Sequence, residues 1–339
     1  MAIIKIVVSG IPRGYHDPLP NGNWLKEKHR KQILSLSKDI ELVEIPAHEL
    51  GSADLTGLEI AVVEGGNRIH YKGELDWVDY ERLFVPSLKF IQLGCTGINN
   101  QVTDQILDGS VALCNVPGLH TVALAESVMA GMLEYAKNFK LRRLDQEKRV
   151  WRELKNDEMG GRTVLLVGLG GIGKMLAQLC KPFGMRIIGT KRQVEPVEGV
   201  DLVFPREELA KYLPEADYVV MGVPLTPETD KMIGYEEFSL MKKTAHFSNV
   251  GRGKTVDQDA LVDALANNRI GGAFLDAHNP EPLPEDHPLW ALPNAFIIPH
   301  DSHSSPYIGD RVTDVFCKNL ERYLRGEPLF SACDPRRGY

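Results

Sequence analysis

Short β-branched runs alternate with amphipathic stretches along most of the chain, which is typical of parallel βαβ units. In the first third the predicted strands are apolar throughout, as expected when helices cover both faces of a parallel sheet. These strands are Ile3–Val8, Ile40–Ile45, Ile60–Glu64, Leu88–Leu93 and Val111–Asn115. The segment Asn115–Gly118 then interrupts the pattern as a predicted hinge, and a helix is predicted from Thr121 to Lys148.

The same alternation restarts at Gly161 and predicts a second α/β domain. Its strands are Thr163–Val167, Arg186–Thr190, Tyr218–Val223, Ala245–Val250, Ala273–Asp276 and Ala295–Ile298. Six strands with helical crossovers match one doubly wound domain. The tail beyond this domain holds one predicted helix, Ile308–Arg325, and is too short to fold alone, so we expect it to pack onto the first domain. The predicted domains are therefore 1–116 with 302–339, and 117–301.

Composition narrows the class of protein further. Of 339 residues, 43% are hydrophobic and 25% are charged, which is typical of a globular protein and excludes extended disorder. The net charge of -7 argues against a surface that binds duplex nucleic acid. No apolar run approaches the roughly 20 residues of a membrane span, and the first residues predict a strand, not a secretion signal.

The five cysteines indicate a reducing compartment. They are Cys95, Cys114, Cys180, Cys317 and Cys333. Their number is odd, and their spacing contains no C-x-x-C. This pattern predicts reduced thiols in a cytoplasmic protein, with neither a disulfide framework nor a zinc site.

The strand that opens the second domain runs directly into G-x-G-x-x-G, formed by Gly168, Gly170 and Gly173. In such a loop the first glycine makes a tight turn, the second lets the backbone approach a pyrophosphate, and the third lets helix and strand pack closely. The following helix, predicted from Lys174 to Phe183, would present its free N–H groups to the phosphates. Gly171 and Ile172 complete this predicted dinucleotide site. A glycine-rich turn without a ligand is the alternative.

The type of nucleotide is limited by two neighbouring positions. The stretch also fits G-x-x-x-x-G-K of nucleoside-triphosphate loops, but Met175 stands where that loop needs Ser or Thr to hold magnesium. The next strand ends in Lys191 and Arg192, where a carboxylate would bind the ribose 2′-hydroxyl of NAD. A basic pair suits the 2′-phosphate of NADP instead. NADP(H) is therefore favoured and NAD(H) is the second candidate; a solvated basic turn is the alternative.

Three groups with potential for chemistry follow successive strands of the second domain. Arg252 lies between two glycines, Asp276 precedes Glu281 in a proline-flanked loop, and His300 follows the last strand. Taken singly, they could be a surface arginine, a solvated loop carboxylate and a core histidine. Because ligands bind at the carboxyl ends of parallel strands, their recurrence at one sheet edge favours a common site.

This set of side chains suits hydride transfer coupled to proton transfer. A guanidinium such as that of Arg252 binds the carboxylate of a 2-keto acid through two hydrogen bonds. When hydride reaches the carbonyl carbon, a protonated imidazole at His300 can donate a proton to the oxygen. The Glu281 carboxylate would orient that imidazole.

From Phe90 onward the sequence resembles the D-isomer-specific 2-hydroxyacid dehydrogenases, which include glyoxylate/hydroxypyruvate reductases and phosphoglycerate dehydrogenases. The matching blocks are Val167–Gly173, Val223–Thr229, Asn249–Gly253, Asp257–Leu265, Gly272–Leu283 and His287–His300. The resemblance implies an α/β fold of two Rossmann-like, doubly wound parallel-sheet domains. The first is a discontinuous substrate-binding domain, the second binds NAD(P), and the active-site cleft lies between them.

The resemblance also implies roles for individual residues. Arg252 would bind the substrate, His300 would be the general acid/base and Glu281 its partner. The residues implied to contact the cofactor include Val223, Pro224, Thr229, Val250 and, at the nicotinamide amide, Asp276. In the first domain Cys95, Thr96 and Gly97, within the loop Gly94–Asn99, would bind the substrate. The substrate would be a small 2-keto or 2-hydroxy acid, and the chain would form a homodimer through Leu124–Leu133.

The sequence departs from the family pattern in places. After the proton-transferring histidine the family commonly has Ile-Gly, whereas this chain has Asp301-Ser302-His303, which changes the polarity next to His300. Lys137 stands where the family has an arginine after the dimer helix. Glu281 is retained, which separates the chain from formate dehydrogenases of the same fold, where Gln is found.

The segment Ile11–Trp24 matches no family block. His16 and His70 are predicted surface residues, and no spacing of His, Asp and Glu suggests a metal. A second class of function stays open: corepressors of the C-terminal-binding-protein type share this fold and its Arg, Glu and His. Such a protein would bind the cofactor with little turnover.

Overall fold

The computed structural model describes residues 3–10, 24–63, 69–71, 74–76, 80–98 and 102–334. The chain forms two compact units. The first comprises the residues up to His120 and from His303 onward, and the second comprises Thr121–Ser302. Asn99 of the predicted substrate loop, His16, the side chain of His70 and residues 11–23 lie outside the described residues.

The first unit is built on a parallel sheet. Its strands are β1 (Ile4–Ser9), β2 (Ile40–Ile45), β3 (Leu58–Val63), β4 (Ile69–Tyr71), β5 (Glu74–Asp76), β6 (Phe90–Leu93) and β7 (Ala112–Cys114). Five of them pair in parallel in the order β2-β1-β3-β6-β7, while β4 and β5 form an antiparallel hairpin. The helices of this unit are α1 (Glu27–Leu34), α2 (Asp104–Leu107) and α9 (Ile308–Leu324).

Both faces of this sheet are covered, which explains why its strands are apolar throughout. Phe90 packs on one face against Phe316 of α9, with ring centroids 6.4 Å apart, while Ile91 belongs to the core on the other face. The side chain of Asn319 in α9 donates a hydrogen bond to Gln92 Oε1 at 2.8 Å, and both residues are buried. A satisfied buried polar pair of this kind fixes the position of α9 on the sheet.

The second unit contains a larger parallel sheet. Its strands are β8 (Thr163–Val167), β9 (Arg186–Thr190), β10 (Leu202–Phe204), β11 (Tyr218–Met221), β12 (His246–Asn249), β13 (Gly272–Leu275) and β14 (Ala295–Ile297). They pair in the order β10-β9-β8-β11-β12-β13-β14. The helices are α3 (Thr121–Lys137), α4 (Phe139–Glu147), α5 (Gly171–Cys180), α6 (Leu209–Tyr212), α7 (Tyr235–Leu240) and α8 (Gln258–Ala266).

Alternate side chains of the central strand β8 enter two separate cores. Leu165 and Val167 belong to one cluster, and Val164 and Leu166 to the other, which includes residues of α3 and α5. The α/β class with two parallel sheets, predicted from the sequence, is confirmed. No helix in the described ranges has both the length and the apolar character needed to cross a membrane.

Two predictions about the second unit were wrong in detail. The sheet has seven strands instead of six, because β10 was missed: an edge strand of three residues is too short to show a periodic pattern. The helix predicted from Thr121 to Lys148 is two helices. Asn138 lies between them with φ +54°, a left-handed conformation that Asn tolerates and that ends α3.

The helix after the glycine loop also begins earlier than predicted. It starts at Gly171 instead of Lys174 and ends at Cys180, and a 3₁₀ turn continues to Phe183. Gly171 and Gly173 therefore lie in the first turn of the helix and Gly170 is its N-cap residue, which places the open N–H groups of α5 inside the motif itself.

Candidate active site

The glycine loop joins β8 to α5, and the structure shows a steric requirement for glycine at two of its three motif positions, Gly168 and Gly173. Gly168 has φ +104°, and a Cβ there would lie 2.7 Å from Val223 Cγ1. A Cβ on Gly173 would lie 2.3 Å from the Gly168 carbonyl oxygen, so helix and turn are in close contact. At Gly170 a Cβ would meet no atom within 4 Å. The space beside Gly170 and the N-terminus of α5 thus forms an open cradle for a phosphate group.

The remaining loop positions line the same turn. A Cβ on Gly171 would lie 3.1 Å from Thr121 Oγ1, and Ile172 packs partly buried against the core below α5. The Gly168 N–H donates to Thr190 Oγ1 at 3.0 Å, which connects the loop to the end of β9.

The basic pair at the end of β9 has a neighbour that sequence analysis missed. Lys191 Nζ forms an ion pair with Glu195 Oε1, and this hydrogen bond lowers the pKa of the Glu195 carboxyl. Arg192 is exposed. A carboxylate therefore lies close to this strand end even though none lies within it. Lys191 and Glu195 are four residues apart, a spacing that predicts an ion pair within a helix but not in the irregular segment that follows β9.

Four further predicted cofactor residues lie beyond β11 and β12. Val223 contacts Gly168, as described above, and Pro224 accepts a 2.7 Å hydrogen bond at its carbonyl from Thr229 Oγ1. Thr229 is buried and also accepts from the Thr226 N–H at 2.8 Å, so it holds the turn closed. Val250 is buried directly after β12.

The loop that carries Arg252 is shaped by the glycines on either side. A Cβ on Gly251 would lie 2.7 Å from the Val223 carbonyl oxygen, and one on Gly253 would lie 1.8 Å from the carbonyl oxygen of His278. Both glycines are therefore required by neighbouring loops. Buried Thr255 donates from Oγ1 to the Arg252 carbonyl at 2.6 Å, which fixes the backbone beneath the exposed guanidinium.

Glu281 and His300 form a hydrogen-bonded pair. His300 Nδ1–H donates to Glu281 Oε2 at 2.8 Å, and Oε1 accepts from the His278 N–H at 2.8 Å. Partial burial raises the pKa of Glu281, but the hydrogen bonds from His300 and His278 outweigh it and hold the pKa below its usual value. Glu281 is therefore an ionised acceptor at neutral pH.

His300 adopts an unusual backbone conformation. Its φ is +53°, in the left-handed region, and its N–H donates to the Ile298 carbonyl at 3.0 Å around Pro299. A left-handed histidine is uncommon and costs conformational energy, so surrounding contacts must hold it.

Asp276 is buried at the end of β13, next to the segment that departs from the family pattern. Its Oδ1 accepts from the Ser302 N–H at 3.1 Å, and burial raises the pKa of its carboxyl. The proposed catalytic groups follow three strands: Arg252 follows β12, Asp276 and Glu281 follow β13, and His300 follows β14. These strands are neighbours, so one sheet edge brings the groups together.

The predicted substrate loop of the first unit follows β6. Cys95 is buried and its Sγ lies 3.0 Å from the Gly97 carbonyl, whereas Thr96 and Gly97 are exposed. The Asn115 side chain donates to the Thr96 carbonyl at 2.7 Å, and Val116 N–H donates to the Cys95 carbonyl at 2.9 Å.

In the part of the chain that the structure describes, no cluster of His, Cys, Asp and Glu could hold a metal ion.

Comparison with known proteins gives concordant matches. Residues 129–302 match the family described as D-isomer specific 2-hydroxyacid dehydrogenase, NAD binding domain. The chain is 33% identical over 290 residues to an uncharacterized protein from Corynebacterium melassecola, covering 82% of this chain and 95% of that protein. It is 34% identical over 252 residues to glyoxylate reductase from Korarchaeum cryptofilum, covering 71% of this chain and 75% of that protein.

A solved structure matches over nearly the whole length. It is the NADPH-dependent glyoxylate/hydroxypyruvate reductase from Sinorhizobium meliloti in complex with NADP and sulfate, with a TM-score of 0.75 and 25% identity. The match covers 99% of this chain and 100% of that chain. The family model, the sequence relatives and this structure agree with the resemblance inferred from the motifs. The chain belongs to the D-isomer specific 2-hydroxyacid dehydrogenases, a family of NAD(P)-dependent oxidoreductases.

Proposed function

We propose that this protein reduces a small 2-keto acid to the D-2-hydroxy acid with NADPH, and catalyses the reverse reaction. The observation that carries the proposal is the Glu281–His300 hydrogen bond, 2.8 Å long, at the sheet edge that also presents Arg252 and the glycine loop. The names of the Korarchaeum and Sinorhizobium proteins support the same class of substrate.

The open cradle beside Gly170 fits a dinucleotide pyrophosphate, with the N–H groups of α5 as donors. When bound, NADPH supplies the hydride that reduces the carbonyl carbon. Arg252 binds the substrate carboxylate through its guanidinium and orients the carbonyl. His300 gives its Nε2 proton to the carbonyl oxygen as negative charge develops there, since Nδ1 is bonded to Glu281. Asp276 is assigned to the nicotinamide amide.

A panel of 2-keto acids tests this function. NADPH oxidation would be followed by absorbance with glyoxylate, hydroxypyruvate, pyruvate and longer 2-keto acids. We expect steady turnover with at least one of them. Tight NADPH binding with negligible turnover across the panel would favour the second candidate, a cofactor-sensing protein of the corepressor type.

Removing the charge of Glu281 is expected to lower turnover. The Glu281→Gln variant keeps an acceptor for the His300 Nδ1–H but loses the charge-assisted hydrogen bond that orients the imidazole. We expect kcat for keto-acid reduction to fall about tenfold, with a smaller change in KM. The measurement is steady-state kcat and KM for both proteins; unchanged values would mean that Glu281 is only structural.

The cofactor proposal concerns Lys191 and Arg192. Each can donate a charge-assisted hydrogen bond to a 2′-phosphate, and one such bond of about 1.4 kcal/mol corresponds to a tenfold preference. Lys191→Asp should therefore shift kcat/KM toward NADH by about tenfold or more. Glu195→Gln should strengthen the preference for NADPH, because Glu195 competes for Lys191 and repels the phosphate.

Lys181→Asp is the matched control for charge reversal. Lys181 lies beyond the opposite end of α5 and pairs with Asp201 at 2.8 Å. In Lys181→Asp, the ratio of kcat/KM for NADPH to kcat/KM for NADH should equal that of the unmodified protein. Equal use of both cofactors by the unmodified protein would contradict the proposal, as would a preference for NADPH that does not weaken in high salt.

We also propose a homodimer in the cytoplasm. No residue of α4 is buried within the chain, and Trp151 just beyond it is 100% exposed. Phe139 and Val150 add exposed apolar surface. Such a patch is typical of a protein–protein interface. Leu124 and Leu133 of the predicted dimer helix are only partly buried by their own core, so the proposed interface extends from this helix to α4 and residues 150–151. The proposed cytoplasmic location rests on the odd number and scattered spacing of the five cysteines in the sequence.

A further inference from the structure

One buried titratable side chain beside the proposed proton relay has no role in the mechanism above. His278 lies two residues beyond Asp276, in the loop between β13 and Glu281, and is 6% exposed. A buried histidine in such a place is often only part of the core. The contacts of His278 distinguish it from that case.

His278 touches all three loops that carry the proposed catalytic groups. Its backbone N–H donates to Glu281 Oε1 at 2.8 Å. Its ring Nε2–H donates to the Ile298 carbonyl at 2.9 Å. Its own carbonyl oxygen lies so close to Gly253 that a Cβ there would be 1.8 Å away, which brings it against the Arg252 loop.

The Ile298 carbonyl is the important acceptor among these. It also accepts the N–H of His300, the residue held in the left-handed conformation. The Ile298 carbonyl therefore accepts hydrogen bonds from both His278 and His300. The His278 ring connects the Glu281 loop to the turn that contains His300. A backbone hydrogen bond from the Ile298 N–H to the Leu275 carbonyl, 3.0 Å long, joins the same two strands, and the His278 ring adds a second link from the loop that carries Glu281.

We propose that His278 is a positioning residue, which fixes the distance and angle between Glu281 and His300 and seats the Arg252 loop against them. The inference rests on the proposed function. It assigns His278 no contact with substrate and no proton transfer. Catalytic pairs lose efficiency when their geometry loosens by fractions of an ångström, so a single tether can affect turnover more than binding.

The test compares two substitutions. His278→Phe keeps the ring volume and the backbone N–H but removes the bond to Ile298, whereas His278→Gln offers an amide N–H with similar reach. We expect His278→Phe to lower kcat for keto-acid reduction about tenfold, with KM and the NADPH dissociation constant changed less than twofold. His278→Gln should recover most of the loss. Melting temperatures identify any variant whose fold is compromised.

A spectroscopic readout separates this proposal from the proposed function. The Nδ1–H proton of His300, bonded to Glu281, should give a low-field NMR resonance, assigned by its absence in His300→Gln. We expect it to weaken or shift in His278→Phe and to return in His278→Gln. An unchanged resonance and unchanged kcat in His278→Phe would overturn the positioning role. If the unmodified protein reduces no keto acid but the resonance responds as expected, the proposed function fails while the tether stands.

Discussion

Replacing His300 with Gln is expected to lower kcat for keto-acid reduction by about 10²-fold or more, the usual contribution of a positioned general acid. Glutamine can still donate a hydrogen bond to the carbonyl oxygen, but it cannot release a proton to it. The loss should therefore fall on the chemical step. The measurement is steady-state kcat with saturating NADPH and the best keto acid of the panel.

Cofactor binding serves as the control for this variant. His300 follows β14 and the glycine loop follows β8, and three strands of the sheet, β11, β12 and β13, lie between them, so the substitution is remote from the glycine loop. The NADPH dissociation constant, followed by nicotinamide fluorescence, should be nearly unchanged. If His300→Gln retains normal kcat, the proton donor is another group and the assignment is wrong.

The second large effect is expected at the substrate anchor. Arg252→Lys keeps the charge but replaces a planar, two-pronged donor with a point charge, so the paired hydrogen bonds to the carboxylate are lost. We expect KM for the keto acid to rise and kcat to fall, with a combined loss of about 10- to 100-fold in kcat/KM, equivalent to roughly 1.4–2.8 kcal/mol.

Lys254→Gln provides a control for position. Lys254 is exposed in the same loop and separated from Arg252 by Gly253, so it tests whether altering any cation of this loop weakens substrate binding. Kinetics near those of the unmodified protein are expected. Near-normal kinetics in Arg252→Lys itself, or an equal loss in Lys254→Gln, would exclude a specific carboxylate anchor at Arg252.

The sequence predicted the parts of this structure that depend on local pattern. Thr163–Val167 and Arg186–Thr190 were placed at their observed ends, since each is a buried strand followed at once by a turn. The needs of Gly168 and Gly173 could likewise be predicted, because a tight turn and a close packing contact each exclude a side chain. The role of Gly170 stays a prediction, since the space beside it is open.

What the sequence left out depends on contacts between loops. Glu195 reaches Lys191 across a turn, which no helical spacing predicts. His278 looks like an ordinary core histidine until the Ile298 carbonyl, 20 residues away, is seen to accept its ring N–H. The break at Asn138 was missed because the apolar pattern continues on both sides of it.

The central claim is hydride transfer from the cofactor to C2 of a 2-keto acid, and isotopic labelling tests it most directly. NADPH carrying deuterium at C4 of the nicotinamide, prepared separately with each face labelled, would be incubated with the protein and the best keto acid. The product would be analysed by mass spectrometry and chiral chromatography. We expect one of the two labelled cofactors to place deuterium at C2 of the D-2-hydroxy acid. Bound NADPH with no deuterium in any product, or label in the L isomer, would contradict the account.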